Sequence, residues 1–374
     1  MKKILVTLIL LIFLSLNNLT IIANSSLPKN QSIFVYSNVT FYVGGSGDGN
    51  YSNIQDAIDN ASEGDTIYVY SGIYQENVRI SKSIRLIGEN RDNVLLDGNN
   101  KTDVISVMAD NVVVSNFTIE NSGSFDAGIK INTNNNLVGN CKITSCYDGI
   151  ELNKALYNQV SKCEIANNER EGIYFLYSNY NNITDCTLPN NFESLWFDSS
   201  GYNMVVKCFI ESNKEEGVQI KDSSYNEFIS CVISSNIFGY GLYIERNSVK
   251  NIIDHCEISL NGVGIFFTSS EYEGPAGCVI SFCNITNNYG TGIFFLGIGS
   301  LMNDTQIHFN NIYDNKKGLI STNANGCFIN AQNNWWGSKR GPSILGIGGG
   351  DRIGWNPLNG SIYFYPWNIS PIDV

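Results

Sequence analysis

The sequence predicts an all-β chain folded as a single-domain parallel β-helix, a solenoid with about 22–27 residues per coil. Three observations predict it. A cysteine recurs at Cys141, Cys163, Cys186, Cys208, Cys231, Cys256 and Cys283, at spacings of 22, 23, 22, 23, 25 and 27 residues. Asparagines keep step with it, at Asn136, Asn158, Asn181, Asn203, Asn226 and Asn251 before it and at Asn168, Asn191, Asn213, Asn236, Asn261 and Asn288 after it. Apolar residues flank each cysteine, as Val160 and Ile165 flank Cys163, and a glycine opens the next apolar run, as in Gly172-Ile173 and Gly264-Ile265.

A repeat of this length admits two main solenoids. Leucine-rich repeats need L-x-x-L-x-L-x-x-N, which this chain does not show. Three short strands per coil remain, stacked at about 4.8 Å so that identical side chains lie over one another. An inward asparagine at a corner satisfies backbone groups that the turn leaves unpaired, and stacked asparagines bond along the axis. Cysteine is compact and apolar enough for a crowded rung, and glycine tolerates a tight corner. Aligned inward thiols make an awkward disulfide framework, so the cysteines read as reduced packing residues, with a bridge between neighbouring rungs as the alternative.

The ends read differently. MKKILVTLILLIFLSL, two lysines before an apolar run, reads as a secretory signal within residues 1–26, followed by a linker over 27–40. SNIQDAIDNASEGD then offers Ser52 or Asn53 as an N-cap, with Ile54, Ala57, Ile58 and Ala61 on one helical face. This predicts a short helix that seals the first coil of a β-helix spanning 41–333. Residues 334–374 are rich in Trp, Gly and Pro and break the repeat, so they read as an irregular C-terminal cap, with Trp335 and Trp336 over the last rung.

Without Lys2 and Lys3 the chain carries 21 Lys+Arg against 35 Asp+Glu, a net charge of −14. That argues against nucleic acid and anionic membranes as partners, and against bare polyuronates unless a divalent cation bridges the two. No second long apolar run follows the signal, so no transmembrane segment is expected after its removal. Sequons such as those at Asn38, Asn182 and Asn284 fit a glycosylated protein, secreted or held at the cell surface.

The stretch YSNIQDAIDNASEGDTIYVYSGIYQENVRISKSIRLIGE, the Asn/Cys repeats and the closing NNWWG…GP…PW together resemble the NosD-type right-handed parallel β-helix family. That family sits in the pectin-lyase-like group of carbohydrate-binding and sugar-hydrolysing β-helices. The resemblance covers nearly all of the mature chain and implies a right-handed helix on a microbial surface. NosD itself is associated with copper supply. Here there are only His255 and His308 and four methionines, with no paired Met or His cluster, which disfavours copper handling. The N-T-D, D-D and G-H-G motifs of polygalacturonases are absent, as is the D-P-H-E motif of alginate epimerases.

Two sets of residues are candidates for a site. The residue between the inward positions of each glycine-opened strand points outward. On that basis Tyr174, Phe197, Tyr243, Phe266 and Phe294 form an aromatic column, with Glu151, Gln219 and Ile320 in line. Aromatic platforms at rung spacing suit stacking on sugar rings or holding another protein, so these five are the expected ligand-binding residues. A ridge of Glu169, Glu171, Glu193, Glu215 and Glu216 lies at the corner before these strands, and Asp198, Asp222 and Glu245 form a second acidic edge beyond them. The simplest reading of the ridge is solvated turn charge. Glu171, Glu193 and Glu216 are the catalytic candidates, because close carboxylates raise one another's pKa and supply an acid and a base. No metal or cofactor is expected, although close carboxylates of this kind could also bind calcium. The expected function is binding of a polysaccharide or surface glycoprotein through the aromatic column, with a polysaccharide lyase, hydrolase or epimerase as the alternative.

Overall fold

The computed structural model describes residues 38–270, 272–297, 302–322, 327–355 and 360–374. The signal segment 1–26 and linker residues 27–37 lie outside the described residues. Among the described residues no helix is long and apolar enough to cross a membrane. The fold is an all-β parallel solenoid with one short helix, Ile54–Asn60. Its coils feed a first sheet of 14 strands, a second sheet split into two halves of 5 strands each, and a third sheet of 12 strands. In the coil around Cys163 the three strands are Gln159–Ser161, Glu164–Ala166 and Glu171–Leu176. The second sheet divides at Leu188-Pro189, where Thr187 alone bridges to Glu164 and Phe209. Proline has no N–H to give the ladder.

The registers put like over like. Val138, Val160, Ile183, Val205 and Phe228 stack in the first sheet, and all are buried. Four further inward files run along the axis at the corners. Asn158 Oδ1 accepts the amide of Asn136 at 2.8 Å, Asn191 Oδ1 that of Asn168 at 3.1 Å, and Ser200 Oγ that of Ser178 at 2.8 Å. The thiol of Cys163 takes the amide of Cys141 at 3.5 Å. Cys141 to Cys283 form one buried file, and all nine cysteines with described side chains are free thiols.

Each of these files follows a corner residue in the left-handed region, such as Tyr157 before Asn158, Lys162 before Cys163 and Asn190 before Asn191. Such a conformation costs an L-residue about 1–2 kcal/mol. The amides that the corner would otherwise orphan are bonded by the file, which offsets that cost. The glycines serve a different purpose from the corner expected of them. Gly172 is not left-handed; a Cβ there would lie 2.6 Å from the carbonyl oxygen of Ser194 on the next coil. Glycine is required by the closeness of stacked rungs.

At the N-terminal end the helix buries Ile54, Ala57 and Ile58 against the first coils. Asn53 is the N-cap residue, yet its side chain makes no cap bond. The carboxylate of Glu76, one coil on, accepts from Ile54 N at 2.8 Å and Gln55 N at 3.0 Å instead. At the other end Trp336 is fully buried against Gly318. Within the expected cap, strands Ile353–Trp355 and Gly360–Tyr363 still stack on the third and first sheets.

Candidate functional site

The third sheet carries both candidate sets, and its register decides which way each residue faces. Glu171 pairs with Glu193, Tyr174 with Trp196 and Phe175 with Phe197. Phe197 is therefore an inward residue, fully buried and stacked on Phe175 with ring centroids 4.3 Å apart. Its expected outward place belongs to Trp196. The cause is local: Ser194 stands where neighbouring coils have glycine, so the Gly-Ile landmark that aligns the other strands is missing. Ser194 fits because its hydroxyl turns in to donate to Leu188 O.

The observed outward column is Lys130, Glu151, Tyr174, Trp196, Gln219, Tyr243, Phe266, Phe294 and Ile320. Tyr174 stacks on Trp196 at 4.9 Å, Tyr243 on Phe266 at 5.4 Å, and Phe266 meets Phe294 at 5.3 Å. Tyr240, absent from the expected set, lies 4.5 Å from Phe266 and covers it, leaving Phe266 only 7% exposed. Tyr174, Trp196, Tyr243 and Phe294 are half-buried. Burial, with Asp198 and Glu171 adding, pushes the Tyr174 hydroxyl pKa up; burial and Glu245 do the same to Tyr243.

The acidic ridge is solvated turn charge only in part, at the exposed Glu169 and Glu215. Glu171 and Glu193 are buried at 2% and 7% exposure, and Glu216 is half-buried. Side chains of the same coil and its neighbours cover this corner, which sequence position alone does not show. Both Nε and Nη2 of Arg170 donate to Glu171 Oε1, at 3.0 and 2.6 Å, while the guanidinium lies 5.9 Å from the ring centres of Tyr147, Phe192 and Trp196. Asp148, one coil before Glu171, is buried as well; burial and the neighbouring Glu171 push its pKa far up. Burial, then the charges of Glu216 and Glu171, raise Glu193 to about 8, and burial with Glu215 raises Glu216 to about 7. Glu193 Oε2 and Trp196 Nε1 are both buried with no hydrogen-bond partner. Carboxyl groups crowded together in a buried corner, with Glu193 and Glu216 pushed up, are the kind of arrangement that general acid–base chemistry uses.

Glu193, Glu215 and Glu216 each place one carboxylate oxygen within 4.8 Å of the others. Three such oxygens are about half of the 6–8 that calcium takes. The structure thus brings Glu193 and Glu216 together and holds Glu171 on Arg170 beside them. Glu169 is exposed at the same corner.

Several features escaped the sequence reading although signals were present. D-G-I-E at 148–151 and Y-G-L-Y at 240–243 repeat the pattern of E-G-I-Y at 171–174, so Asp148 and Tyr240 were findable. Tyr157, Tyr180, Tyr202 and Tyr225 each precede a file asparagine and stack in an exposed column at 5.1, 5.0 and 4.7 Å. Their ring faces cover one another, leaving edges and hydroxyls outward. His255 sits at a corner bonded to Asp254 at 2.7 Å, and Asp254 also accepts from Ser281, so no histidine joins the acidic corner.

Comparison with known proteins follows this geometry. A search of curated protein sequences finds no match. In structure the chain is similar to the A-module of mannuronan C-5 epimerase AlgE6 from Azotobacter vinelandii, with TM-score 0.70 and 13% identity over 85% of this chain and 94% of that one. It is also similar to the catalytic unit of a GH87 α-1,3-glucanase from Streptomyces thermodiastaticus, with TM-score 0.60 and 14% identity over 86% and 65% of the two chains. A third is tailspike protein gp49 of Acinetobacter baumannii bacteriophage Fri1, a capsular polysaccharide depolymerase, with TM-score 0.55 and 11% identity over 89% and 62%. At such identities these likenesses speak to the fold. The family model for the right handed beta helix region matches residues 12–197 and 127–274, most of the chain. Together with the parallel stacking and the three-strand coil, that match makes this chain a member of the right-handed β-helix family.

Proposed function

We propose that this is a secreted or surface-located protein that engages a polysaccharide along its third sheet. The glycan lies on Tyr174, Trp196, Tyr243 and Phe294, with Tyr240 standing over the covered Phe266 and the acidic corner beside it. The observation that carries this reading is one column of aromatic side chains at strand spacing, bordered by buried carboxylates. Because these rings also stack on one another, their outward edges supply the apolar contact, and the nearby carboxylates and Gln219 supply hydrogen bonds to hydroxyls. The polysaccharide-acting neighbours support the reading. A glycan carried on a surface glycoprotein would use the same column.

Binding to a polysaccharide panel, with melting temperature as the control for folding, tests this. Trp196→Ala and Tyr243→Ser together are expected to weaken binding by about tenfold or more at unchanged fold. Undiminished binding by the double variant would sink the column as the ligand face.

A second reading, cleavage or modification of the bound chain, is favoured by Glu193. Its carboxyl is buried and has an unpartnered oxygen, burial and the charge of Glu216 push its pKa up, and the more open Glu216 stands beside it. Glu193 would serve as the acid and Glu216 as the base. Product release from the same panel decides it: a Glu193→Gln variant that binds but releases nothing supports catalysis, and an inactive wild type refutes it.

A further inference from the structure

The aromatic column ends in a cavity of about 500 Å³ between the last third-sheet strands and the C-terminal segment. Ile320, Leu345, Ile353 and Trp355 are among its walls, and its only charged lining residues are Lys317 and Arg352. Ile320 is the next outward position after Phe294 and pairs with Gly354, while Trp355 pairs with Ser321 in the neighbouring inward register. The cavity thus adjoins the end of the column, with Ile320 and Gly354 in its wall. Lys317 is half-buried and Arg352 exposed, and among the described residues neither makes an ion pair.

Those two cations stand out against the rest of the chain. No lysine or arginine occurs between Asn251 and Asn315, in a protein of net charge −12. Residues 302–374 hold 5 of the 23 Lys+Arg and 4 of the 35 Asp+Glu, so this end is close to neutral while the rest of the chain is strongly acidic. An unpaired guanidinium and an unpaired ammonium beside apolar walls are complementary to one chemical object: a carboxylate on a ring with apolar faces.

We propose that this cavity receives a carboxylate-bearing sugar at the end of the glycan. The proposal rests on the polysaccharide reading above and narrows it to chains with an acidic end residue. Arg352 and Lys317 take the carboxylate, Trp355 takes the ring face, and Ser321 and Thr322 offer hydroxyls. No bridging divalent cation is needed, because the cations are built in. Five strand spacings, about 24 Å, separate the strand of Lys317 from that of Glu193. A chain held by its end in the cavity therefore presents a fixed interior stretch to the acidic corner.

The test uses the full chain labelled with nitrogen-15, and reads the indole N–H of Trp355, assigned through Trp355→Phe. The probes are trigalacturonate and the same trimer with its carboxyl groups reduced to alcohols. The charged trimer is expected to shift Trp355 at about tenfold lower concentration than the neutral one. A Lys317→Ala, Arg352→Ala double variant, both positions lying outside the core, should erase that preference at unchanged melting temperature. A wild type without preference, a preference that survives in the double variant, or sodium phosphate shifting Trp355 as strongly as the trimer would each overturn the proposal. The column reading fails separately: if the Trp196 and Tyr243 variants keep polymer binding while Trp355 still distinguishes the trimers, the cavity stands and the column does not.

Discussion

Both ends of the third-sheet strands are rich in carboxylates, and their surroundings differ. At the far edge Asp198 faces Lys221 at 3.7 Å, Asp222 faces Arg246 at 3.6 Å, and Glu245 accepts from Gln219 at 3.0 Å. All three are half-exposed. At the near edge Asp148, Glu171 and Glu193 are buried, Arg170 pairs with Glu171 alone among the three, and Glu193 Oε2 is left without any partner. Water and cations make the far edge cheap to fold. The near edge opposes folding, since burying carboxyl groups close together disfavours their charged forms. Such an arrangement makes the near edge, and not the far one, the candidate site.

That contrast depends on the register of Glu193–Asp198, so the largest expected effect tests the register. Phe197→Ala should cost about 3–5 kcal/mol in denaturant unfolding, as for a filled core site, with Trp196→Ala costing clearly less. The reverse order would move both edges by one residue and dissolve the comparison. Next, Arg170→Met strands Glu171 among other acids. A loss of about 3 kcal/mol at pH 7 is expected in denaturant unfolding.

Glu193→Gln should act in the opposite direction. An unfolded glutamate titrates near 4.5 and the folded one near 8. Between those values the folded state holds a proton that the unfolded state has lost, so stability falls as pH rises through the window. The glutamine variant is therefore expected to be more stable than wild type at pH 8 by on the order of 2 kcal/mol, and to show a flatter pH profile. A stability difference unchanged between pH 5 and pH 8 would show that Glu193 is ionised throughout. The smallest effect belongs to the far edge. Asp198→Asn should change stability by less than about 0.5 kcal/mol, and less still in high salt.

The interior was legible in the sequence because stacking repeats the same chemical problem in each coil. Each corner orphans an amide, and Asn158, Asn181, Asn203 and Asn226 solve it in turn. The outer face has no such constraint. Trp196 was hidden because its strand lacks the glycine that marks the others. The burial of Glu193 was hidden because Arg170, Phe192 and Trp196 come together only when coils stack. The cavity was hidden because Ile344, Leu345 and Trp355 lie past the repeat, where no period relates them to Ile320.

The corner files have one more consequence. Each asparagine or cysteine bonds the coil on either side, so a coil can be gained or lost only whole, with its corner residues together. The distance between the carboxyl corner and the terminal cavity is thus graduated in steps of one strand spacing, about 4.8 Å. Evolution or an engineer can lengthen this gauge notch by notch, and under the proposed end-binding each notch would bring a different unit of the chain to the acids.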